Sequence, residues 1–491
     1  MKNKNKTVVK IILLLLIQVT GIKVILAEEN PSLTKKITLD IEYLQSQGDD
    51  SLTLEVGEKC VDLSLFPKAE TYYATKAKNG KYHFSIPVKY YAGYFLLKAK
   101  RTYTYKGGMT TQMDLLYPQF WEAGDSLQIN INHWERPANI FSLCNFKGNG
   151  AEKYKARYAI DNFRLSGVSE IGTNTSYSGA SSLSDIAREQ LKTLEKFKQK
   201  ISQLSYNVLK GDIYFSGKSY FAYDRKAYLK IAKEHSFEST AESSLAIKSI
   251  FGDRESDLAY SSQYLAYAYA NAKRVAFIGS TSDSSESVFN TIAQNYNGAI
   301  RNTLILLFFK TARLSDNVDE LFKQAESYAK DAEAKRAIKE LSTLLPGRTI
   351  KDYTLLGMDG KKVNLSCFDD KIVLIDFYFT GCGGCQSYYR NVLSKVEHRF
   401  KGNSKIVFLS IATDPNPATW KKSVLSGEYT SQDVVNLNTE GLGFKHPIII
   451  DNNIFTYPTV LLLSKGRRLK LYNHESLYIY DSLVKEIENL L

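Results

Sequence analysis

Residues 371–379, KIVLIDFYF, form an apolar run broken by a single acid, Asp376, and they lead without a linker into TGCGGC and then QSYYRNVLSKVEHRF. An apolar run of this kind followed by a helical pattern is a strand buried on both faces, which belongs to an α/β layer and not to a sheet with one wet side. The order strand, cysteines, helix puts Cys382 at the helix N-terminus and Cys385 one turn inside it. Unpaired backbone N–H groups and the positive end of the helix dipole favour a thiolate there, drawing Cys382 from the ordinary thiol range towards neutrality. Cys382 is then the attacking sulfur, and Cys385 the one that resolves a mixed disulfide. The blander alternatives are an inert disulfide or half of a zinc site. Zinc would need two more ligands, and the chain has no second C-x-x-C and no H-x-x-x-H.

Strands and helices go on alternating to the C-terminus. KIVFLSIA reads as a strand, PATWKKSVLSG as a helix, PTVLLLS as a strand, RRLKLYN as its hairpin mate and SLYIYDSLVKEIENLL as a closing helix. The spacing predicts a central sheet covered on both faces over 346–491. Upstream, LLPG at 344–347 ends a different texture, because Pro346 cannot continue a helix and Gly347 releases the backbone. Residues 151–345 carry apolar positions three and four apart and read as an α-helical domain. In VDELFKQAESYAKDAEAKRAIKELSTLL, Leu321, Ala325, Tyr328 and Ala332 share one face, and Asn317 with Glu320 forms a capping box. GVSEIGTNTSYSGASS at 167–182 reads as a polar loop. Residues 28–150 alternate with period two in short runs, with Asn79-Gly80 between two of them as a hairpin signal, and predict an antiparallel β domain. At about 150 residues per domain, a chain of 491 residues accommodates about three such units.

Three stretches resemble the thioredoxin-fold modules of the TlpA/ResA type, exported bacterial thiol-disulfide oxidoreductases. They are PGRTIKDYTLLGMDGKKVNLSCFDDKIVLIDFYFTGCGGC, DPNPATWKK and FTYPTVLLL, in that order. The resemblance covers 346–491 and implies a thioredoxin fold, with Cys382 and Cys385 as the redox pair. Tyr457-Pro458-Thr459 matches the family's cis-proline loop, where a cis bond leaves the preceding backbone open to a substrate strand. Tyr457, Pro458, Thr459 and Gly381 are thus the expected substrate-contacting positions. Asp376, six residues before Cys382, matches the buried acid that takes the proton of the resolving thiol. Residues 414–446 match an extra helical insertion. The chain departs from the family at Gly381, where a large residue is usual, at Gly384 in place of proline, and at Tyr388 in place of a glutamate. More weakly, NGKYHFSIPV, FWEAGDSLQININ and FKGNGAEKY resemble a small β domain placed ahead of such modules, read here as a docking or spacing unit.

The first 27 residues open with lysines, pass through an apolar stretch and precede the acids Glu28 and Glu29, the build of a secretory signal. Ile25 and Lys23 are atypical of a cleaved signal, so an uncleaved N-terminal helix that associates with the membrane is the alternative. The expected location is the periplasm or cell envelope, where thiols are oxidised unless maintained. The formal net charge is +12, and the five lysines of residues 1–27 account for much of it, leaving +7 beyond. That bias is not focused into a stripe and gives no reason to expect nucleic acid as a partner. Of the other cysteines, Cys367 reads as a small buried apolar residue, and Cys60 and Cys144 as a possible structural pair. The six histidines have no metal or triad spacing.

The reading that absorbs most of these features is a protein disulfide reductase. No organic cofactor and no metal is expected, since the redox group is the Cys382–Cys385 disulfide itself. Its expected partners are protein thiols or disulfides of the envelope, apocytochrome c among them by resemblance, and a membrane thiol electron donor. A second reading is an interaction platform with little redox turnover, in which the β and helical domains bind a partner. A third is thiol peroxidase, whose proline position is occupied here by Ile375.

Overall fold

The computed structural model describes residues 35–491 except 44–50, 62–63, 67–68, 77–80, 104–108, 117, 132–143, 171–179, 217–246, 280–284, 315 and 331. The expected signal therefore lies outside the described residues. No described helix is long and apolar enough to cross a membrane.

The period-two runs fold as strands. Lys36–Tyr43 buries Ile37, Leu39, Ile41 and Tyr43 in the core of the N-terminal sheets. It pairs antiparallel with Tyr82–Pro87 on one side, but parallel with Ser126–Ile131 on the other. The expectation of a wholly antiparallel domain is thus corrected. Alternation identifies which face of a strand is buried and says nothing of its partner's direction. The strands flanking Asn79-Gly80 pair antiparallel, with Thr75 opposite His83; the turn itself is outside the described residues.

Helices follow from Ala151 to Glu340. Of the stretch read as a loop at 167–182, residues 167–170 and 180–182 are helical, and 171–179 lie outside the described residues. The segment beginning at Val318 is two helices, Val318–Tyr328 and Ala332–Glu340, with Ala329 extended between them. Ala332 therefore does not continue the face of Leu321, Ala325 and Tyr328. Asn317 occupies the N-cap position, but its side chain makes no capping hydrogen bond. Its φ of −89° and ψ of 16° lie outside the extended conformation that aims a cap side chain at the first turn.

The C-terminal sheet has seven strands in the order Lys362–Asn364, Thr354–Gly357, Val435–Asn438, Ile406–Ala412, Ile372–Tyr378, Thr459–Ser464, Arg468–Tyr472. Ile372–Tyr378 is central, parallel to Ile406–Ala412 and antiparallel to Thr459–Ser464. All seven of its residues are buried. Ile372 and Leu374 pack towards the dithiol helix and the closing helix Tyr480–Glu488. Val373, Ile375 and Phe377 face the other way, into a core that continues through Leu304 and Phe308 of the helix Gly298–Thr311. The apolar core on the second face of this sheet is thus continuous with that of the helical segment.

Candidate functional site

The strand Ile372–Tyr378 ends at the turn that carries the cysteines, and the helix Gly383–Tyr388 starts there. The helix continues through one wider turn at Tyr389–Leu393 to Arg399. Cys382 is its N-cap, with an extended backbone, and its sulfur accepts the Cys385 N–H at 3.1 Å. A negative sulfur at this position would be stabilised by that donor and by the helix dipole. Cys382 and Cys385 form a disulfide, S–S 2.05 Å. Both sulfurs' residues are nearly covered, Cys382 6% and Cys385 3% exposed, within an apolar cluster that includes Trp420, Val424 and Tyr429.

Residues far away in sequence shape the turn. Thr380 donates to Asp414 through its backbone N–H (3.1 Å) and its hydroxyl (2.9 Å). Gly381 donates its N–H to the Tyr429 hydroxyl oxygen at 2.8 Å, and the Tyr429 ring stacks on Tyr378 at 5.5 Å. Asp414 and Tyr429 both belong to the segment read as an insertion. Gly381 has φ +97°, a backbone that side chains other than glycine's rarely adopt. An added Cβ would meet nothing within 4 Å, so conformation and not space selects glycine at this position. Gly381→Ala should accordingly lower stability by about 1–2 kcal/mol. An unchanged denaturation midpoint would show that the turn relaxes freely.

The second glycine meets the proline loop. A Cβ on Gly384 would lie 3.5 Å from Pro458 Cδ and 3.6 Å from the Tyr457 carbonyl oxygen. The Tyr457–Pro458 bond is cis. Tyr457 is part of an aromatic group with Phe379 (5.4 Å) and Phe444 (5.5 Å), and Phe444 is an exposed residue. Thr459 pairs with Phe377 in the sheet and is buried. Tyr457, Pro458, Gly381 and the dithiol are thus brought to one end of the sheet, with Thr459 just inside it.

Asp376 is buried on the sheet face that carries the dithiol helix, and its Oδ1 accepts the Ser410 hydroxyl at 2.7 Å. Burial pushes its pKa up to about 7, with the Ser410 bond opposing. A second carboxyl, Glu397 on the same helix as Cys385, lines a cleft of about 520 Å³ with Tyr389, Lys401 and Asp433. Burial, and then the nearby charge of Asp376, push the Glu397 pKa up to about 8. Sequence reasoning missed Glu397, because a lone acid on an amphipathic helix reads as solvated. Ser410 and Tyr429 were missed because nothing local marks them, and Asp414 and Trp420, although both lie in DPNPATWKK, were given no role of their own.

Two expectations about the remaining cysteines change. Cys367 is exposed. It sits in a single turn, Leu365–Phe368, that directs Leu365 inwards and leaves the third residue outside. Cys60 and Cys144 are not joined. Cys60 is buried beside the Ser262 hydroxyl, 3.6 Å from its sulfur, whereas Cys144 begins an edge strand of the other sheet, opposite Ile131. Among the described residues no group of three or more His, Cys, Asp or Glu is arranged to hold a metal.

A mixed sheet with the disulfide at the N-terminus of the helix after its central strand, facing a cis-proline loop, is a thioredoxin-like arrangement. No family model and no curated protein matches this chain. Among solved structures it is similar to the thioredoxin domain of a thiol-disulfide oxidoreductase from Bacteroides vulgatus, at 22% identity and TM-score 0.26, covering 30% of this chain and 97% of that one. A thiol:disulfide interchange protein from a Bacteroides species is similar at 23% identity and TM-score 0.26, covering 30% and 90%. A thiol-disulfide oxidoreductase from Bacteroides fragilis is similar at 18% identity and TM-score 0.25, covering 29% and 100%.

Proposed function

We propose that this chain is an exported thiol-disulfide oxidoreductase that reduces disulfides of cell-envelope proteins. The observation that carries this reading is the Cys382–Cys385 disulfide at a helix N-terminus, with the Tyr457–Pro458 loop against it. In the reduced enzyme the Cys382 thiolate attacks one sulfur of a substrate disulfide. An S–S bond forms to Cys382, the substrate bond breaks, and the first substrate thiolate leaves. The Cys385 thiol then gives its proton to the Asp376 carboxylate and attacks Cys382, which releases the second substrate thiolate and restores the enzyme disulfide. A base poised at about 7 is suited to that transfer at neutral pH. Two electrons pass to the substrate in each cycle, and a membrane thiol donor would return them.

The deciding measurement is the reduction potential of the Cys382/Cys385 pair, read by trapping free thiols after equilibration in redox buffers. A value of roughly −270 mV supports the reductase, while one of roughly −120 mV would reassign it as an oxidant. The platform reading draws on the near burial of Cys382, 6% exposed. Under it a Cys382→Ala strain keeps its function; under the enzymatic reading that strain loses it.

A further inference from the structure

The helical segment reaches the loop beside the dithiol. Beyond the helix Gly298–Thr311 the chain runs along Asn473–Glu475. Leu314 N–H donates to the Asn473 carbonyl (3.1 Å), Glu475 N–H to the Leu314 carbonyl (3.0 Å), and the Asn473 amide to the Ala312 carbonyl (3.1 Å). This pairing places the Arg313 guanidinium 3.9 Å from the centre of the buried Tyr478 ring. The Tyr478 hydroxyl, in turn, lies 3.0 Å from the Pro458 carbonyl and against the Asn473 side-chain oxygen, and shares its one proton between these two acceptors. At the end of the same helix, Lys310 Nζ lies 4.4 Å over the ring of Phe455, two residues before Tyr457. The helical segment therefore holds the substrate loop on both sides of Tyr457.

Burying Tyr478 requires neither a cation on its ring nor an oxygen at Pro458; the first contact ties the ring to the helical segment and the second ties its hydroxyl to the loop. We propose that Arg313 and Tyr478 are positioning residues that hold the Tyr457–Pro458 loop where an extended polypeptide can lie across the dithiol. The helical segment is then part of the substrate site. This inference rests on the oxidoreductase reading and deepens it by naming polypeptide disulfides, as opposed to small ones, as the substrates that need the loop. A small disulfide needs only access to the Cys382 sulfur.

The test uses the full mature chain, with glutathione recycled by glutathione reductase as electron source and two probes, a cystine-bridged peptide and bis(2-hydroxyethyl) disulfide, each read above its uncatalysed rate. Arg313→Ala and Tyr478→Phe should each raise KM for the peptide about tenfold, the size expected from losing one desolvated cation–π or hydrogen-bonded contact. The kcat with peptide and the rate with the small disulfide should stay within about twofold of the parent, and the dithiol potential should not move. Arg313→Lys, which keeps the cation, should recover part of the peptide KM. An unchanged peptide KM, or equal losses on both probes, overturns the inference and leaves Arg313 and Tyr478 as packing residues. Turnover of either probe by Cys382→Ser above the uncatalysed rate would instead overturn the oxidoreductase reading itself.

Discussion

Cys382→Ser should abolish disulfide exchange, lowering turnover by about three orders of magnitude or more, because a serine hydroxyl at a helix N-terminus remains protonated where a thiol ionises. Cys385→Ser has a different expected outcome. The first attack still occurs, since Cys382 keeps the N-cap position and the backbone donor at residue 385. No second sulfur resolves the product, so a covalent enzyme–substrate disulfide accumulates. It should appear as a shifted band on a non-reducing gel and disappear on addition of reductant. Equal inactivity of both variants with no trapped species would mean that Cys382 does not attack.

Asp376→Asn should make the protein more stable above neutral pH and slower in the resolving step. Burial raises the Asp376 pKa from 3.8 to about 7. The fold thus favours the protonated acid. That contribution is complete below the ordinary carboxylate range and is lost as pH rises through about 7. Above that point the charged carboxylate costs the fold on the order of 4 kcal/mol, at 1.36 kcal/mol per pKa unit. Asparagine carries no such charge, so the variant's advantage should be near zero at pH 4, grow to pH 7 and then level off. Denaturation followed by tryptophan fluorescence reports it, because Trp420 lies in the apolar cluster of the dithiol. Loss of the base should also slow release of the substrate by about 10²–10⁴-fold at neutral pH. A stability difference independent of pH would show that the Asp376 pKa is the same in the folded and unfolded chain.

The features legible in the sequence were those whose cause is local. A short apolar run rich in β-branched and aromatic residues reads as a central strand, and the seven buried residues of Ile372–Tyr378 agree with that. The spacing of Cys382 and Cys385 put them at a helix start, and the structure joins them there. Asp376 stood out as the one acid in an apolar strand, and its burial follows from that position. Gly381 was marked as a departure from a family pattern, but its reason, a positive φ, is a property of the folded turn.

Other features depended on which segments meet. Asp414 and Tyr429 hold the dithiol turn from 34 and 48 residues away. Tyr478 reaches Pro458 across a strand pair, and Arg313 comes to Tyr478 from the helical segment. Period-two and helical patterns report how much of each segment is buried, not against which partner, so pairing direction in the N-terminal sheets and the joining of the C-terminal sheet's core to the helical core were invisible to them. By itself the sequence determined the dithiol, its strand and helix, and the buried acid, because backbone periodicity and a helix dipole act within a few residues. Only the tertiary structure decided what braces the turn and the substrate loop, because those hydrogen bonds and ring contacts form between segments that chain closure alone brings together.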